Sequence, residues 1–318
     1  MKQNQASGTA GYMTLFRALE SYRPEAERLF EDTMAVGFLK PSLRRAACLS
    51  RIPVVGEVVR WYIDKQWPGA RTSGIARTRF IDDELINALK NGVKQVVILG
   101  AGFDSRAYRI PGIERAQVYE VDYPSTLEAK RDKVQKMLGR IPGNVTFSEI
   151  DFNHQRLGDL LAGSGFDQRR RSFFIWEGVT NYLTPQAVDV TLRFIGGMPE
   201  GSVAVFTYIH KGVLDRPESF EGTQNLARLL RENSEPWTFG LYPKELPAYL
   251  EARRLRLVED IGATEYRAKY MRSERCKKGY EFYRIAIARV DRSSHPRGGS
   301  SLTAHDRRRR DSFTEPLG

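Results

Sequence analysis

The segment VVILGAGFDSRAYRI, residues 96–110, contains the residues best suited to chemistry in this chain. An apolar run ends at Gly-Ala-Gly, and a carboxylate, Asp104, follows Gly102 by two residues. Because Gly100 and Gly102 have no Cβ, a ligand can come close to the backbone there. A tight turn between a strand and a helix, with no ligand, explains the same pattern, and both interpretations stay open.

The charge at this turn restricts the kind of ligand. A dinucleotide-binding fold favours a third glycine at position 105, where pyrophosphate meets a helix N-terminus. This chain has Ser105 there, directly after Asp104. A carboxylate suits a helix N-terminus but repels phosphate. We therefore expect a nucleoside-like ligand that is neutral or cationic, and S-adenosylmethionine fits this description.

Three more carboxylates follow apolar runs further along the chain. Asp122 ends the run in VYEVDYP, where it can accept hydrogen bonds from two ribose hydroxyls. Asp151 ends the run in EIDF, where it can accept the adenine amino hydrogens while Phe152 lies along the base. Glu177 ends the run in FFIWE. Asp122 could instead cap a helix and Asp151 could be a loop carboxylate, but one cofactor spanning all the strand ends explains them together.

Strands and helices alternate around these residues. Strands are predicted at 94–99, 117–121, 145–150, 172–176 and 202–209, with a late antiparallel pair at 255–260 and 280–290. Helices are predicted at 75–89, 124–138, 185–198 and 243–254. Such alternation indicates an α/β fold with a doubly wound, mostly parallel sheet. In a sheet of this kind, ligands bind in the crevice outside the carboxyl ends of the strands.

We expect a single domain over residues 12–292. Residues 12–70 form a helical N-terminal segment that covers the crevice, and residues 71–292 form the α/β core. Trp61, Tyr62 and Trp67 in that segment either contact an acceptor or simply pack, and the insertion 210–239 is a second candidate cover. Residues 1–11 are predicted to be a flexible N-terminus, and the Gly-, Ser-, Pro- and Arg-rich residues 293–318 a disordered basic tail.

Composition excludes several classes of protein. The chain has 318 residues, 41% of them hydrophobic, and a net charge of +11. The basic residues are scattered, apart from the run at 307–310, so we favour a solvated surface over a nucleic-acid site. No apolar run approaches membrane-spanning length, and we expect no membrane partner. The chain has only two cysteines, Cys48 and Cys276, and no signal-peptide pattern, so we expect a cytoplasmic protein without disulfides. No group of residues has the spacing of metal ligands, so we expect no metal.

Taken together, VVILGAGFDSRAYRI, VYEVDYP, EIDF and IWEGVTNYLT resemble the leucine carboxyl methyltransferase superfamily, specifically its microbial branch of S-adenosylmethionine-dependent O-methyltransferases. The resemblance covers residues 16–290. It implies a Rossmann-like class I methyltransferase fold and a small-molecule or peptide acceptor, with a role in secondary metabolism. Neither the acceptor nor the oligomeric state is specified by these motifs.

The resemblance also assigns roles to single residues. In GIARTRFIDDEL the family's arginine, which binds the carboxylate of the methionine moiety, falls on Arg77, with Arg79 as the alternative. The other cofactor contacts fall on Gly100, Asp122, Asp151 with Phe152, and Glu177.

Two side chains could act on the acceptor. Tyr182 faces the crevice if its loop follows the family pattern, and could orient an acceptor oxygen by a hydrogen bond. His210 ends a predicted strand and is the one histidine placed to act as a general base; a hydroxyl acceptor would need such a base, whereas a carboxylate would not. A structural histidine is the alternative.

Two other classes of function remain as rivals. A nicotinamide-dependent oxidoreductase would use the same general fold, but it predicts the third glycine and a catalytic pair that this chain lacks. A non-catalytic nucleic-acid-binding module would use the positive charge, and it predicts steeply salt-dependent binding.

Overall fold

The structure is a computed structural model that describes residues 8–220, 223, 236–272 and 279–291. Its centre is a seven-stranded sheet with the order β3-β2-β1-β4-β5-β7-β6. The strands are β1 Gln95–Leu99, β2 Gln117–Asp122, β3 Val145–Glu149, β4 Ser172–Trp176, β5 Val203–Ile209, β6 Leu255–Gly262 and β7 Tyr283–Val290. The first five strands are parallel, and β7 lies antiparallel to both β5 and β6. The predicted mixed α/β sheet with its late antiparallel strand is confirmed.

Twelve α-helices are described in residues 8–220, 236–272 and 279–291. They are α1 Gly8–Ser21, α2 Ala35–Phe38, α3 Pro41–Leu49, α4 Pro53–Gln66, α5 Ala70–Lys90, α6 Arg106–Arg109, α7 Pro124–Leu138, α8 Leu157–Gly163, α9 Pro185–Gly196, α10 Gly212–Asp215, α11 Leu246–Glu251 and α12 Ala263–Tyr270. A short 3-10 helix, Thr180–Tyr182, follows β4.

Both faces of the sheet are covered, which explains why its central strands are apolar on successive residues. Every residue of β1 and of β4 is buried. One core cluster includes Val97, Phe174 and Leu192, and a second includes Val96, Phe173 and Phe80. Alternate residues of the same strands thus enter the two cores, as the two-residue period of a strand requires.

The N-terminal helices form their own small core, which includes Leu15, Leu19, Ala35 and Ile63. α1 begins at Gly8, inside the stretch predicted to be flexible. From residue 10 onward, Tyr12 and Met13 are its first apolar residues that pack on this core, and Thr14 is its first fully buried residue. Residues 1–7 and the predicted tail lie outside the described residues.

The aromatic residues that could either contact an acceptor or simply pack have different surroundings. Trp61 and Tyr62 on α4 are 61% and 55% exposed, so they face solvent. Trp67 packs against Tyr12 of α1 with ring centroids 5.6 Å apart. α1 itself reaches the crevice, where the Arg17 guanidinium donates to the carbonyl of Phe103. Of the second candidate cover, 210–239, residues 221–222 and 224–235 lie outside the described residues.

Candidate functional site

The carboxyl ends of four neighbouring parallel strands form one edge of the sheet. In the order β3-β2-β1-β4, these ends lead to Asp151, Asp122, Gly100 and Glu177. From β1 the chain continues to β2 and β3 on one side of β1, and it then returns to form β4 on the other side. The strand order therefore reverses between β1 and β4. Ligands of open α/β sheets bind outside the strand ends at such a point. The structure thus brings the predicted carboxylates to one crevice.

The two glycines of the β1–α6 turn differ in the space around the position of a Cβ. Gly100 has φ +66°, and a Cβ there would lie 2.1 Å from Cγ2 of Val179. A side chain of this protein, Val179, therefore lies on the side of Gly100 where a Cβ would project. Gly102 has φ +38°, and a Cβ there would meet nothing nearer than the Gly100 carbonyl at 3.8 Å. The backbone at Gly102 is bare and open.

Asp122 is tied to the same turn. Its Oδ2 accepts the Gly102 amide at 2.6 Å, and its Oδ1 accepts the Tyr123 amide at 2.6 Å. Burial raises the pKa of this carboxyl, although the two amide bonds oppose the shift. A carboxylate offers about four lone-pair positions, so two acceptor positions remain for a ligand such as a ribose diol.

Glu120, the other carboxylate of β2, faces the core instead. It is fully buried, and its Oε1 lies 2.9 Å from Nζ of Lys130. Tyr108 donates to its Oε2 at 2.9 Å. Lys130 in turn donates to the carbonyl of Ala101 at 3.1 Å. Glu120, Lys130 and Tyr108 therefore support the β1–α6 turn from the side of the core. Asp122 is the carboxylate of β2 that lies at the crevice.

Asp151 and Phe152 follow β3 at the far end of the edge. Asp151 accepts the Asn153 amide at 3.0 Å, and its Oδ2 lies 2.9 Å from Nδ1 of His154. Phe152 is half-buried and packs beside Trp176, with ring centroids 6.2 Å apart. Both residues lie at the end of β3, the strand next to β2 and Asp122.

Glu177 lies between two arginines. Its Oε1 accepts from Nε of Arg77 at 2.7 Å, and its Oε2 accepts from Nη1 of Arg106 at 2.7 Å. Burial alone would raise the pKa of Glu177, but the charges of Arg106 and Arg77 together hold it below its ordinary value. Arg79, the alternative to Arg77, instead pairs with Asp83 at 2.8 Å and is more exposed. The structure thus brings Arg77, not Arg79, to the strand ends.

Arg106 is a member of this charged network that sequence reasoning missed. It is 2% exposed, and its Nε lies 2.7 Å from Oδ1 of Asp82. Its Nη1 also pairs with Asp104. The two arginines of DSRAYRI were visible in the sequence, but their partners are far along the chain and gave no signal.

Asp104 pairs with this same arginine, Arg106. Its Oδ1 accepts the amide of Arg106 at 2.7 Å, and its Oδ2 pairs with the Arg106 guanidinium. Burial alone would raise the pKa of Asp104, but the charges of Arg106, Lys130 and Arg17 outweigh it and hold the pKa at about 2. Because its charge is neutralised inside the protein, Asp104 repels phosphate less strongly than the sequence implied.

The two predicted acceptor residues follow β4 and β5 and lie among apolar and aromatic side chains. Tyr182, in the 3-10 helix after β4, is half-buried in an apolar cluster that includes Ile209 and Phe282. His210 follows β5, with its ring 5.4 Å from both Phe220 and Tyr242. Nδ1 of His210 accepts the Gly212 amide at 3.1 Å. The neutral ring then carries its proton on Nε2, and the lone pair of Nδ1 is engaged by the Gly212 amide.

Comparison with known protein families identifies a match. The model of the leucine carboxyl methyltransferase family matches residues 10–196, which contain all the strand ends described above.

Curated relatives agree with this match. A Frankia alni protein named "Putative S-adenosyl-L-methionine-dependent methyltransferase FRAAL3718" is 32% identical over 209 residues, which are 65% of this chain and 70% of that protein. A Bacillus subtilis protein of the same description, YktD, is 30% identical over 59% of this chain. The match covers 62% of YktD, and a match to a Mycobacterium sp. (strain JLS) relative covers 46% of that protein. The chain thus spans about half to two thirds of the length of these relatives.

Two solved structures share the fold. A DUF574 family protein of Streptomyces avermitilis has a TM-score of 0.53 at 16% identity, covering 87% of this chain and 97% of that one. A Thermobifida fusca protein has a TM-score of 0.52 at 19% identity, covering 86% and 97%. At these identities the likeness concerns the fold alone.

Membrane-spanning helices and clusters of metal ligands are both absent from the described residues. Within residues 8–220, 223, 236–272 and 279–291, no helix has both the length and the apolar character to cross a bilayer. Within the same ranges, no three His, Cys, Asp or Glu side chains gather as metal ligands do.

Proposed function

Since this chain belongs to the leucine carboxyl methyltransferase family, we propose that it is an S-adenosylmethionine-dependent O-methyltransferase. The acceptor is a carboxyl or hydroxyl oxygen of a small molecule or peptide, in secondary metabolism. The observation that carries the proposal is the row of Asp151, Asp122, Gly102 and Glu177 along one crevice at the reversal point of the sheet.

The residues of the crevice fit the parts of such a cofactor. Asp122 has acceptor positions left for the ribose hydroxyls. Asp151 and Phe152 would hold the adenine, by its amino hydrogens and its face. Arg77 would bind the carboxylate of the methionine end, and Glu177 its amino group. The open backbone at Gly102 allows close approach, since a Cβ there would point into space.

The chemistry needs alignment more than acid or base. S-adenosylmethionine supplies a methyl group on a sulfonium, whose leaving group is already good. The protein must then hold the acceptor oxygen in line and exclude water. α1 helps to exclude water from the site. Its Met13 contacts Arg77, and its Arg17 donates to the carbonyl of Phe103 in the β1–α6 turn. A carboxylate acceptor is ionised at neutral pH, so it requires only orientation, for which Tyr182 is the candidate.

A direct experiment tests the proposal. The protein is incubated with S-adenosylmethionine carrying a labelled methyl group and with a metabolite extract, and the labelled product is identified by mass spectrometry. A product labelled on a carboxyl or hydroxyl oxygen supports the proposal, whereas labelling on nitrogen or carbon contradicts O-methylation. Calorimetry gives the cofactor: we expect binding of S-adenosylhomocysteine and no comparable binding of NAD.

The two rival functions have less support. Ser105 is 1% exposed, and its Oγ donates to Asp32 at 2.6 Å, so the third glycine of a dinucleotide site is replaced by a structural hydroxyl. Nucleic-acid binding has less support because several arginines of the core already form ion pairs with carboxylates of this chain. These arginines are Arg77, Arg106 and Arg109. Steeply salt-dependent binding of nucleic acid would be the result that favours this rival.

A further inference from the structure

Arg106 on α6 is fixed by three carboxylates. Its Nε lies 2.7 Å from Oδ1 of Asp82, and its Nη1 contacts both Asp104 and Oε2 of Glu177, the latter at 2.7 Å. It is 2% exposed. A buried guanidinium with this many ionic hydrogen bonds is held in one orientation, because moving it would leave a charge unpaired in the interior.

Arg77, the other partner of Glu177, is held by weaker contacts. Its guanidinium carbon lies 4.6 Å above the ring of Tyr283, and its Nη2 lies 3.6 Å from Sδ of Met13. In the described part of the chain, Glu177 is the carboxylate with which Arg77 pairs. Arg77 also forms a hydrogen bond with the Tyr283 side chain. A ring face, a neutral phenol and a thioether bind a guanidinium less strongly than carboxylates do. Arg77 can therefore turn towards a ligand more easily than Arg106.

This difference between the two arginines matters for an amino-acid ligand, and its importance rests on the proposed function. The methionine end of the cofactor carries a carboxylate and an amino group. When Arg77 binds the carboxylate, Glu177 loses one of its two arginines. Glu177 must still carry its charge in order to accept the amino group.

We propose that Arg106 is a positioning residue that orients the Glu177 carboxylate and keeps it ionised while Arg77 turns to the carboxylate of the cofactor.

The groups that face Glu177 support this division of roles. Arg77 comes from α5, Arg106 from α6, Asp104 from the turn before α6, and Tyr283 from β7. Asp104 repels a charge on Glu177, and burial disfavours it. When Arg77 has turned away, Arg106 is the cation that offsets both effects.

The test measures the pH dependence of S-adenosylhomocysteine binding in Arg106→Gln by calorimetry, in two buffers with different ionisation enthalpies. Without Arg106, Arg77 alone offsets burial and the charge of Asp104, so the pKa of Glu177 rises, and a proton that Glu177 takes up must leave before the amino group binds. Affinity should then fall between pH 7.5 and 5.5 by about tenfold more than in the wild type, with release of about one proton. The linkage has this sign because the bound state requires the ionised carboxylate.

Arg109→Gln is the matched control. Arg109 lies on the same short helix and pairs with Asp82 at 2.7 Å, but its described ion pairs do not include Glu177. It should keep the pH profile of the wild type. In a Glu177→Gln background, Arg106→Gln should add no pH dependence, because the titrating group is gone. Should Arg106→Gln fail to fold, Arg106→Gln/Asp82→Asn removes one charge of each sign, and the same proton release is expected of it.

Equal pH profiles and equal proton release in the wild type and the Arg106 variants would overturn the role of Arg106. A pH effect in Arg109→Gln of the same size would also overturn it, because the effect would then belong to the helix and not to the contact with Glu177. Failure of the wild type to bind S-adenosylhomocysteine is a different result, since it removes the proposed function itself.

Discussion

Asp122 offers a sharp test of the crevice at the scale of one residue. If Asp122 binds the ribose as proposed, Asp122→Ala removes two charge-assisted hydrogen bonds to the cofactor and also frees the Gly102 and Tyr123 amides. We expect a loss of about 2 to 4 kcal/mol in cofactor binding, roughly 30- to 1000-fold in affinity. Calorimetry with S-adenosylhomocysteine measures the change. Glu149→Ala is the control, because this exposed carboxylate pairs in register with Asp122 and should be silent. Unchanged affinity in folded Asp122→Ala would remove the ribose assignment.

Asp104 makes an acid-sensitive contribution to stability. Its folded pKa of about 2 lies below the ordinary value, so its stabilising effect is complete above about pH 4 and is lost as the pH falls towards 2. Two pKa units correspond to about 2 to 3 kcal/mol in the free energy of unfolding. We expect Asp104→Asn to be destabilised by about this amount at pH 6, and the difference from the wild type to shrink on acidification. Urea unfolding at several pH values measures it, and a difference that is constant with pH would contradict the prediction.

Tyr182 and His210 separate the two classes of acceptor. A hydroxyl acceptor needs a base, so His210→Ala would lower the rate by about 100-fold or more. Because Nδ1 of His210 accepts the Gly212 amide, we expect His210→Ala to matter little and Tyr182→Phe to slow transfer, which corresponds to a carboxylate acceptor. Single-turnover rates against pH, measured with the acceptor identified by labelling, decide between them. Burial and the charge of Arg284 lower the pKa of His210, so a rate that depended on it would fall only below its ordinary titration range. Wild-type rates in both variants would show that other groups orient the acceptor.

At the scale of elements, the β1–α6 turn depends on Gly100. In Gly100→Ala the new Cβ would lie 2.1 Å from Val179 and would need φ +66°. We expect a loss of about 2 to 4 kcal/mol in the free energy of unfolding, from the overpacking and from the backbone conformation. Gly100→Ala/Val179→Ala should recover the part due to the clash, and Gly102→Ala, which meets no such neighbour, should lose about 1 kcal/mol. Similar losses in Gly100→Ala and Gly102→Ala would mean that Val179 can move aside.

The elements that sequence predicted well have local signals. α7 runs over Pro124–Leu138 as expected, because Pro124 suits the first helical position and Gly139 has the left-handed φ of +75° that ends a helix. α5 begins at Ala70, five residues before the predicted 75, because its first turns are polar in type yet buried. Arg71 there is held by Asp64 at 2.6 Å. A buried polar residue with a distant partner leaves no hydrophobic pattern to read.

The same reason limits prediction of the site. Asp122, Asp151 and Glu177 could be found because each directly follows an apolar run, and parallel strands end at one edge. Arg106 could not, because its partners Asp82 and Glu177 are 24 and 71 residues away in sequence. Val179 was likewise invisible as the neighbour of Gly100, since only the folded sheet brings the ends of β1 and β4 together.

At the scale of the whole molecule, the sheet and the N-terminal helices meet at the crevice. α5 carries Arg77 to Glu177 and packs on α1, whose Met13 reaches Arg77 from the other side. Cofactor binding and the packing of α1 should therefore be linked, because both involve the guanidinium of Arg77. The exposed α4, with Trp61 at its surface, lies outside this linkage.

The chain beyond residue 292 provides the last prediction. Residues 293–318 contain few apolar side chains, so their burial could offset little of the entropy lost on ordering them. The described residues already include β7, which lies between β5 and β6 and completes the sheet. We therefore expect a chain ending at residue 292 to keep the melting temperature and the S-adenosylhomocysteine affinity of the full chain. The matched comparison is a full chain with the arginines at 307–310 changed to glutamine, which separates the charge of this segment from its length. If truncation lowers either quantity and the glutamine variant does not, the segment docks on the domain through contacts other than charge. If both lower it, the arginines bind an acidic surface of the domain.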